Sequence, residues 1–132
     1  MPRMYVRGDE FPNEGFVQKA IEMHFRNKGY ELEIDKFADL VCIHPTAKKK
    51  WIIEAKGQSQ SIGIDFRTGL GQILQKMKEE DVFYAVAVPY SASFIRQCDN
   101  VPEWVRKSLR LYWLLIFEDG IVKEIAPEEC CG

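Results

Sequence analysis

Apolar residues recur along this 132-residue chain with two different periods, and the switches between them predict its elements. At about 100° per residue, Phe16, Val17, Ala20, Ile21, His24 and Phe25 fill one arc, the mark of an amphipathic helix, with Asn13 as its N-cap. Residues 38–43 and 51–53 are short apolar runs separated by the polar, proline-marked stretch 44–50, which predicts an antiparallel hairpin. Helical spacing returns in Phe66, Leu70, Ile73, Leu74 and Met77, behind Asp65 as a natural N-cap. Residues 82–88, VFYAVAV, form the continuous apolar run of a strand buried on both faces, and Pro89 ends it. Short helices are expected over 91–97 and 103–109. A strand over 112–117 then turns at Glu118-Asp119-Gly120 into another over 121–125. The expected architecture is α/β: helix, three-stranded antiparallel meander, helix and strand, followed by C-terminal helices and a terminal β-hairpin. One domain is expected over 1–132, without internal repeats or low-complexity segments.

The charge balance narrows the function classes. With 18 Lys and Arg against 20 Asp and Glu, the net charge of −2 argues against indiscriminate coating of nucleic acid, so contacts with DNA must be local. Candidate contacts are Lys48, Lys49 and Lys50 at the hairpin tip and Arg67 at the start of the second long helix, with Arg96, Arg106, Lys107 and Arg110 further along. Each also reads as ordinary solvated surface; the lysine run stands out because a hairpin tip beside a catalytic sheet can lie along a phosphate backbone. No apolar run approaches membrane-spanning length, and residues 1–10 lack the apolar stretch of an export signal, so a cytoplasmic protein with no membrane contact is expected. Cys42, Cys98, Cys130 and Cys131 show no metal-ligand spacing. They are expected to be reduced thiols, with Cys42 in the core and the Cys130-Cys131 tail frayed.

Candidate chemistry concentrates in residues 37–57, FADLVCIHPTAKKKWIIEAKG. Asp39 lies near the start of one predicted strand and Glu54 near the end of the next, positions that become neighbours in a hairpin. Because strand side chains alternate in direction, Glu54 and Lys56 project from one face, Ile53 and Ala55 from the other. Two carboxylates suit a hard divalent cation of the kind phosphodiester hydrolysis uses, Mg²⁺ or its substitute Mn²⁺. The Lys56 ammonium beside them suits orienting or deprotonating water, or offsetting charge on a phosphate.

The segment ADL, a turn, then IIEAKG resembles the active-site hairpin of the PD-(D/E)XK nuclease superfamily, the restriction-endonuclease-like fold that includes Holliday-junction resolvases and Mrr-type proteins. The resemblance covers roughly residues 13–90. A first helix ending in a Gly-aromatic pair, here Gly29-Tyr30, and a helix carrying Gln72 after the hairpin extend it, while Ala38 replaces the proline of the family's name. It implies a Mg²⁺-dependent DNA endonuclease acting in restriction, repair or recombination, with Asp39 and Glu54 as metal ligands, Lys56 and Gln72 completing the catalytic set, and duplex or branched DNA as substrate. A first-helix acid often assists the metal in such proteins. On the helical wheel Glu14 and Gln18 border the apolar arc, whereas Glu22 lies further toward solvent, so Glu14 or Gln18 is the candidate. Glu14 also reads as an acid favoured in any first turn by the helix dipole.

Residues 57–63 are expected to form a mobile loop beyond Lys56, and Gly69 and Gly71 to mark close packing within the following helix. A homodimer is expected, paired through residues 104–117, unless those aromatics simply complete the monomer's core. Two alternatives stay open: a degenerate module of the same fold that binds nucleic acid or a protein without cutting, and an unrelated α/β interaction module.

Overall fold

In the computed structural model, which describes residues 9–33 and 37–131, Asn13 occupies the N-cap of the first helix, α1 (Glu14–Asn27). Its end follows from the Gly-aromatic pair. Gly29 takes a φ of +91°, which glycine adopts without a Cβ penalty, and the Tyr30 amide reaches back to the Phe25 carbonyl at 2.9 Å. Residues 1–8, on which the reading of a missing export signal partly rests, lie outside the described residues.

Six strands follow in one sheet whose order matches the chain: β1 (Glu31–Glu33), β2 (Leu40–Ile43), β3 (Lys50–Ala55), β4 (Phe83–Pro89), β5 (Leu111–Ile116) and β6 (Val122–Ile125). The first three form the antiparallel meander, β3, β4 and β5 run parallel, and β6 closes the terminal hairpin on β5. Parallel neighbours need crossovers. Helix α2 (Ile62–Gln75) makes the first, and α3 (Ala92–Asp99) with α4 (Glu103–Leu109) makes the second. The sheet is therefore covered on both sides. Leu40, Cys42, Trp51, Ile53, Ala85 and Ala87 pack under Val17, Ile21 and Phe25 of α1. Val41, Ile52, Tyr84, Val86 and Val88 pack under Phe66 and Ile73 of α2 and Phe94 of α3. Strand β4 lies between the two layers, which is why its sequence carries no polar alternation. Among the described residues, no helix is long and apolar enough to cross a membrane.

Five expectations need correction. The second long helix starts at Ile62, not behind Asp65: Ser61 is the N-cap, its Oγ accepting from the Ile64 amide at 3.4 Å. Asp65 instead accepts from the Ser59 amide and hydroxyl, each at 2.7 Å, so the loop after Lys56 is short and tied to the helix. The carboxyl-terminal tail is not frayed. Cys131 is buried and hydrogen-bonded to Cys98, while Cys130 is exposed. Arg106, expected at the surface, is only 5 % exposed and secures that tail by donating to the carbonyls of Glu129 and Ala126, both at 2.9 Å, while lying over the Trp113 ring. Finally, the segment expected to form a dimer interface is mostly interior. Leu111, Trp113, Leu114, Leu115 and Ile116 complete the core, and Trp104, 72 % exposed, is the large apolar group left outside.

The last strand is tied to α1 through charge. Glu124 on β6 binds His24 Nε2 and Lys28 Nζ at the end of α1, both at 2.8 Å. The His24 bond first, then Lys28, holds the Glu124 carboxyl down at about 2 despite partial burial. A depressed carboxyl stabilises the fold fully above its unfolded value of 4.5 and loses that contribution as pH falls toward 2. Glu124→Gln is therefore expected to cost about 1–2 kcal/mol near neutrality, after allowing for solvent screening. It should also flatten the fall of melting temperature with acid below pH ~4.5, which thermal melts across pH will read.

Candidate functional site

Leu40 faces Ile53 across the β2–β3 ladder, so continuing the register by one position sets Asp39 beside Glu54. Their carboxyl groups come within hydrogen-bonding reach of each other. Asp39 stays exposed, and its Oδ2 accepts from the Ala55 amide at 2.8 Å, replacing a ladder bond where β2 has ended. Glu54 is 3 % exposed, so its carboxyl lies buried beside the exposed Asp39. Burial first and the Asp39 charge second push the Glu54 carboxyl above its ordinary range, opposed by Lys76, whose Nζ lies 3.3 Å from Glu54 Oε2.

The alternation of β3 is as predicted. Ile53 and Ala55 enter the layer beneath α1, while Glu54 and Lys56 take the α2 side. The Lys56 stem passes over Gly69: a methyl added there would stand 2.7 Å from Lys56 Cγ and 3.5 Å from Val86 Cγ1. Gly69 therefore clears a path for the lysine. Gly71 has open space around its α-carbon and no packing role. Gln72 follows Gly69 by three residues and precedes Lys76 by four, which places all three on one face of α2. Its Oε1 is buried and has no hydrogen-bond partner.

Helix α1 reaches the site from the opposite side of the sheet because its first turn docks on Gly57. A Cβ on Gly57 would collide with the Glu14 amide and stand 2.5 Å from the Asn13 carbonyl carbon and 2.6 Å from Glu14 Cα; the Gln58 amide donates to Pro12 O at 2.9 Å beside it. Glu14 is thereby held among the site's charges. Partial enclosure raises its carboxyl pKa, the Lys56 ammonium opposes that, and Asp39 and Asp65 add to it. Gln18 acts differently. Its side-chain amide donates to the Asp39 carbonyl and to Glu22 Oε2, each at 2.8 Å, so it anchors the Asp39 backbone.

The basic candidates do not join this cluster. Lys48, Lys49 and Lys50 sit at the other end of the hairpin, about 13 Å from Glu54 by the rise of four strand residues, and Lys50 is engaged by Glu79 at 3.3 Å. Arg67 is exposed, with its guanidinium folded over Gly63, and lies on the side of α2 away from Gly69. Sequence reasoning missed Lys76 altogether. The signal was its spacing of seven residues from Gly69, two helical turns along the same face, behind the last apolar position of α2.

Among the described residues, no three His, Cys, Asp or Glu side chains converge on a common point. What is present is a contacting pair of carboxylates and, on the neighbouring face of α2, a buried amide oxygen without a partner. These are hard oxygen donors without a histidine or thiolate among them, a set suited to Mg²⁺ or Mn²⁺ rather than to zinc.

A scan against protein-family models finds no match, nor does a search of curated protein sequences. Among solved structures, the chain resembles the crystal structure of an XisH family protein from Nostoc punctiforme PCC 73102, with a TM-score of 0.60 over 81 % of this chain and 95 % of that one. Identity is 13 %, so the likeness is one of fold. The mixed sheet and its helix layers define an α/β protein of the restriction-endonuclease-like fold. This relation to a nuclease-like fold is a coarse one.

Proposed function

We propose that this protein is a Mg²⁺-dependent DNA endonuclease, hydrolysing phosphodiester bonds of duplex or branched DNA in restriction, repair or recombination. The observation that carries the reading is the meeting of Asp39 and Glu54 at the end of β3, with Lys56 on the same strand face. Asp39 and Glu54 would hold the cation, with Gln72 Oε1 as an additional oxygen donor. When bound, such a cation polarises the phosphodiester and acidifies the attacking water. Lys56 sets a positive charge where the phosphate's charge grows, and Gly69 keeps its stem extended toward that point. Glu14, whose carboxyl feels the Lys56 charge, would help orient that ammonium. Gln18 keeps Asp39 in register by holding its carbonyl. Two such sites related by a two-fold axis in a homodimer would cut both strands of a duplex or a symmetric branch.

A second reading, a module of this fold that binds nucleic acid or a protein without cutting, is favoured by one observation: among the described residues, Glu54 is engaged by Lys76 and no third acid closes on the pair. One experiment separates the readings. Plasmid, linear, single-stranded and branched DNA are incubated with the protein in Mg²⁺, in Mn²⁺ and in chelator. Cleavage with either metal and none with chelator is the expected result. Retained binding without cleavage of any substrate establishes the second reading.

A further inference from the structure

Building on the nuclease reading, we propose that Lys76 is a positioning residue: it serves as the resident counter-cation of the Asp39–Glu54 pair and must withdraw from Glu54 when a divalent cation binds, and so sets the metal affinity of the site.

Two carboxylates in contact repel each other, and a buried one tolerates its charge only beside a cation. Lys56 lays its stem along Gly69, and the positive charge that acts on Glu54 is that of Lys76 rather than that of Lys56. Lys76 fills the remaining role. Its side chain is 15 % exposed and that of Glu54 4 %, so their 3.3 Å ion pair is sheltered from solvent rather than a surface contact. The buried carboxylate is thus paired without metal, and an incoming cation gains Glu54 only by replacing Lys76. The lysine has a second partner at hand. Its Nζ already lies 5.6 Å from the centroid of the Phe37 ring, a separation at which an ammonium is attracted to an aromatic face. Lys76 is the C-cap of α2, so its backbone stands at the last turn, beyond the buried positions Phe66 and Ile73. Lys76 therefore acts through Glu54 and needs no contact with substrate.

The test is direct titration of Mn²⁺ into the full chain, followed by electron paramagnetic resonance of free Mn²⁺, for the parent, Lys76→Met and Lys76→Arg. Removing a positive charge at this distance is expected to tighten Mn²⁺ binding by about tenfold or more. Lys76→Arg should restore the parental value, because it keeps the charge. Metal-free Lys76→Met should melt below the parent, and saturating Mn²⁺ should close most of that gap. If Lys76→Met does not fold, Lys76→Gln keeps a donor to Glu54 without the charge and is expected to show the same tightening. Saturable parental binding with unchanged or weaker binding in the uncharged variant overturns the role of Lys76 and leaves the nuclease reading standing. Absence of saturable Mn²⁺ binding in every variant overturns both.

Discussion

Glu54→Gln is expected to leave a folded protein that no longer cuts DNA, with a loss of about a thousandfold or more in cleavage rate, because the substitution removes the buried half of the carboxylate pair. The glutamine fills the same volume. Repulsion with Asp39 disappears, and Asp39 remains to balance Lys76, so stability should change by no more than about 1–2 kcal/mol. Lys56→Ala should lose cleavage to a similar degree without losing metal binding, since an ammonium donates no lone pair to a cation. Asp39 is less clean as a probe: Asp39→Ala also strips the Ala55 amide of its 2.8 Å acceptor and should cost about 1 kcal/mol of stability. Asp39→Asn keeps an acceptor in place and isolates the loss of charge. Cleavage assays paired with thermal melts read all of this. Parental cleavage by a folded Glu54→Gln protein would sink the site assignment.

The parts of this fold that local chemistry determines were legible in the sequence. The β2–β3 hairpin follows from two apolar runs around a proline-marked turn, the end of α1 from Gly29, and the terminal hairpin from a turn in which Gly120 takes a φ of +91°. The pairing of Asp39 with Glu54 followed from hairpin register, and the face shared by Glu54 and Lys56 from strand alternation. Everything missed depends on contacts between distant segments. Ser61 and Asp65 both suit an N-cap by residue type, and the choice between them rests on where β3 ends and α2 lands. Arg106 reads as surface charge until the carbonyls of the tail close around it. Lys76 carries no local mark at all, because a lysine after an apolar stripe is ordinary until Glu54 is placed beneath it. The distance of the lysine run from the catalytic end is likewise a matter of strand direction: the hairpin that joins Asp39 to Glu54 at its open end puts its tip at the other.

Gly57→Ala is expected to be the most damaging single methyl in the molecule, for stability and cleavage together. At Gly57 the added carbon meets backbone, the Glu14 amide and the Asn13 carbonyl carbon, and backbone cannot swing aside as a side chain can. Either α1 lifts from the end of β3 or the strand end bends, and overpacking of this severity costs about 3 kcal/mol. For a chain of this size that corresponds to a melting temperature lower by about 10 °C. Because the same contact holds Glu14 near Lys56 and keeps Gln18 on the Asp39 carbonyl, cleavage should fall even at temperatures where the variant stays folded. Gly69→Ala is the matched control. Its methyl meets Lys56 Cγ at 2.7 Å, so the lysine must change its first side-chain rotamer, but no backbone stands in the way, and alanine is favoured over glycine inside a helix by up to about 1 kcal/mol. Its melting temperature should therefore fall far less than that of Gly57→Ala while cleavage drops, since the Lys56 ammonium is turned from its place. Denaturation curves and cleavage rates of the two variants, measured side by side, check both expectations. A Gly57→Ala protein as stable as the parent would mean that α1 is not docked on the end of β3, and Glu14 would then lose its place at the site.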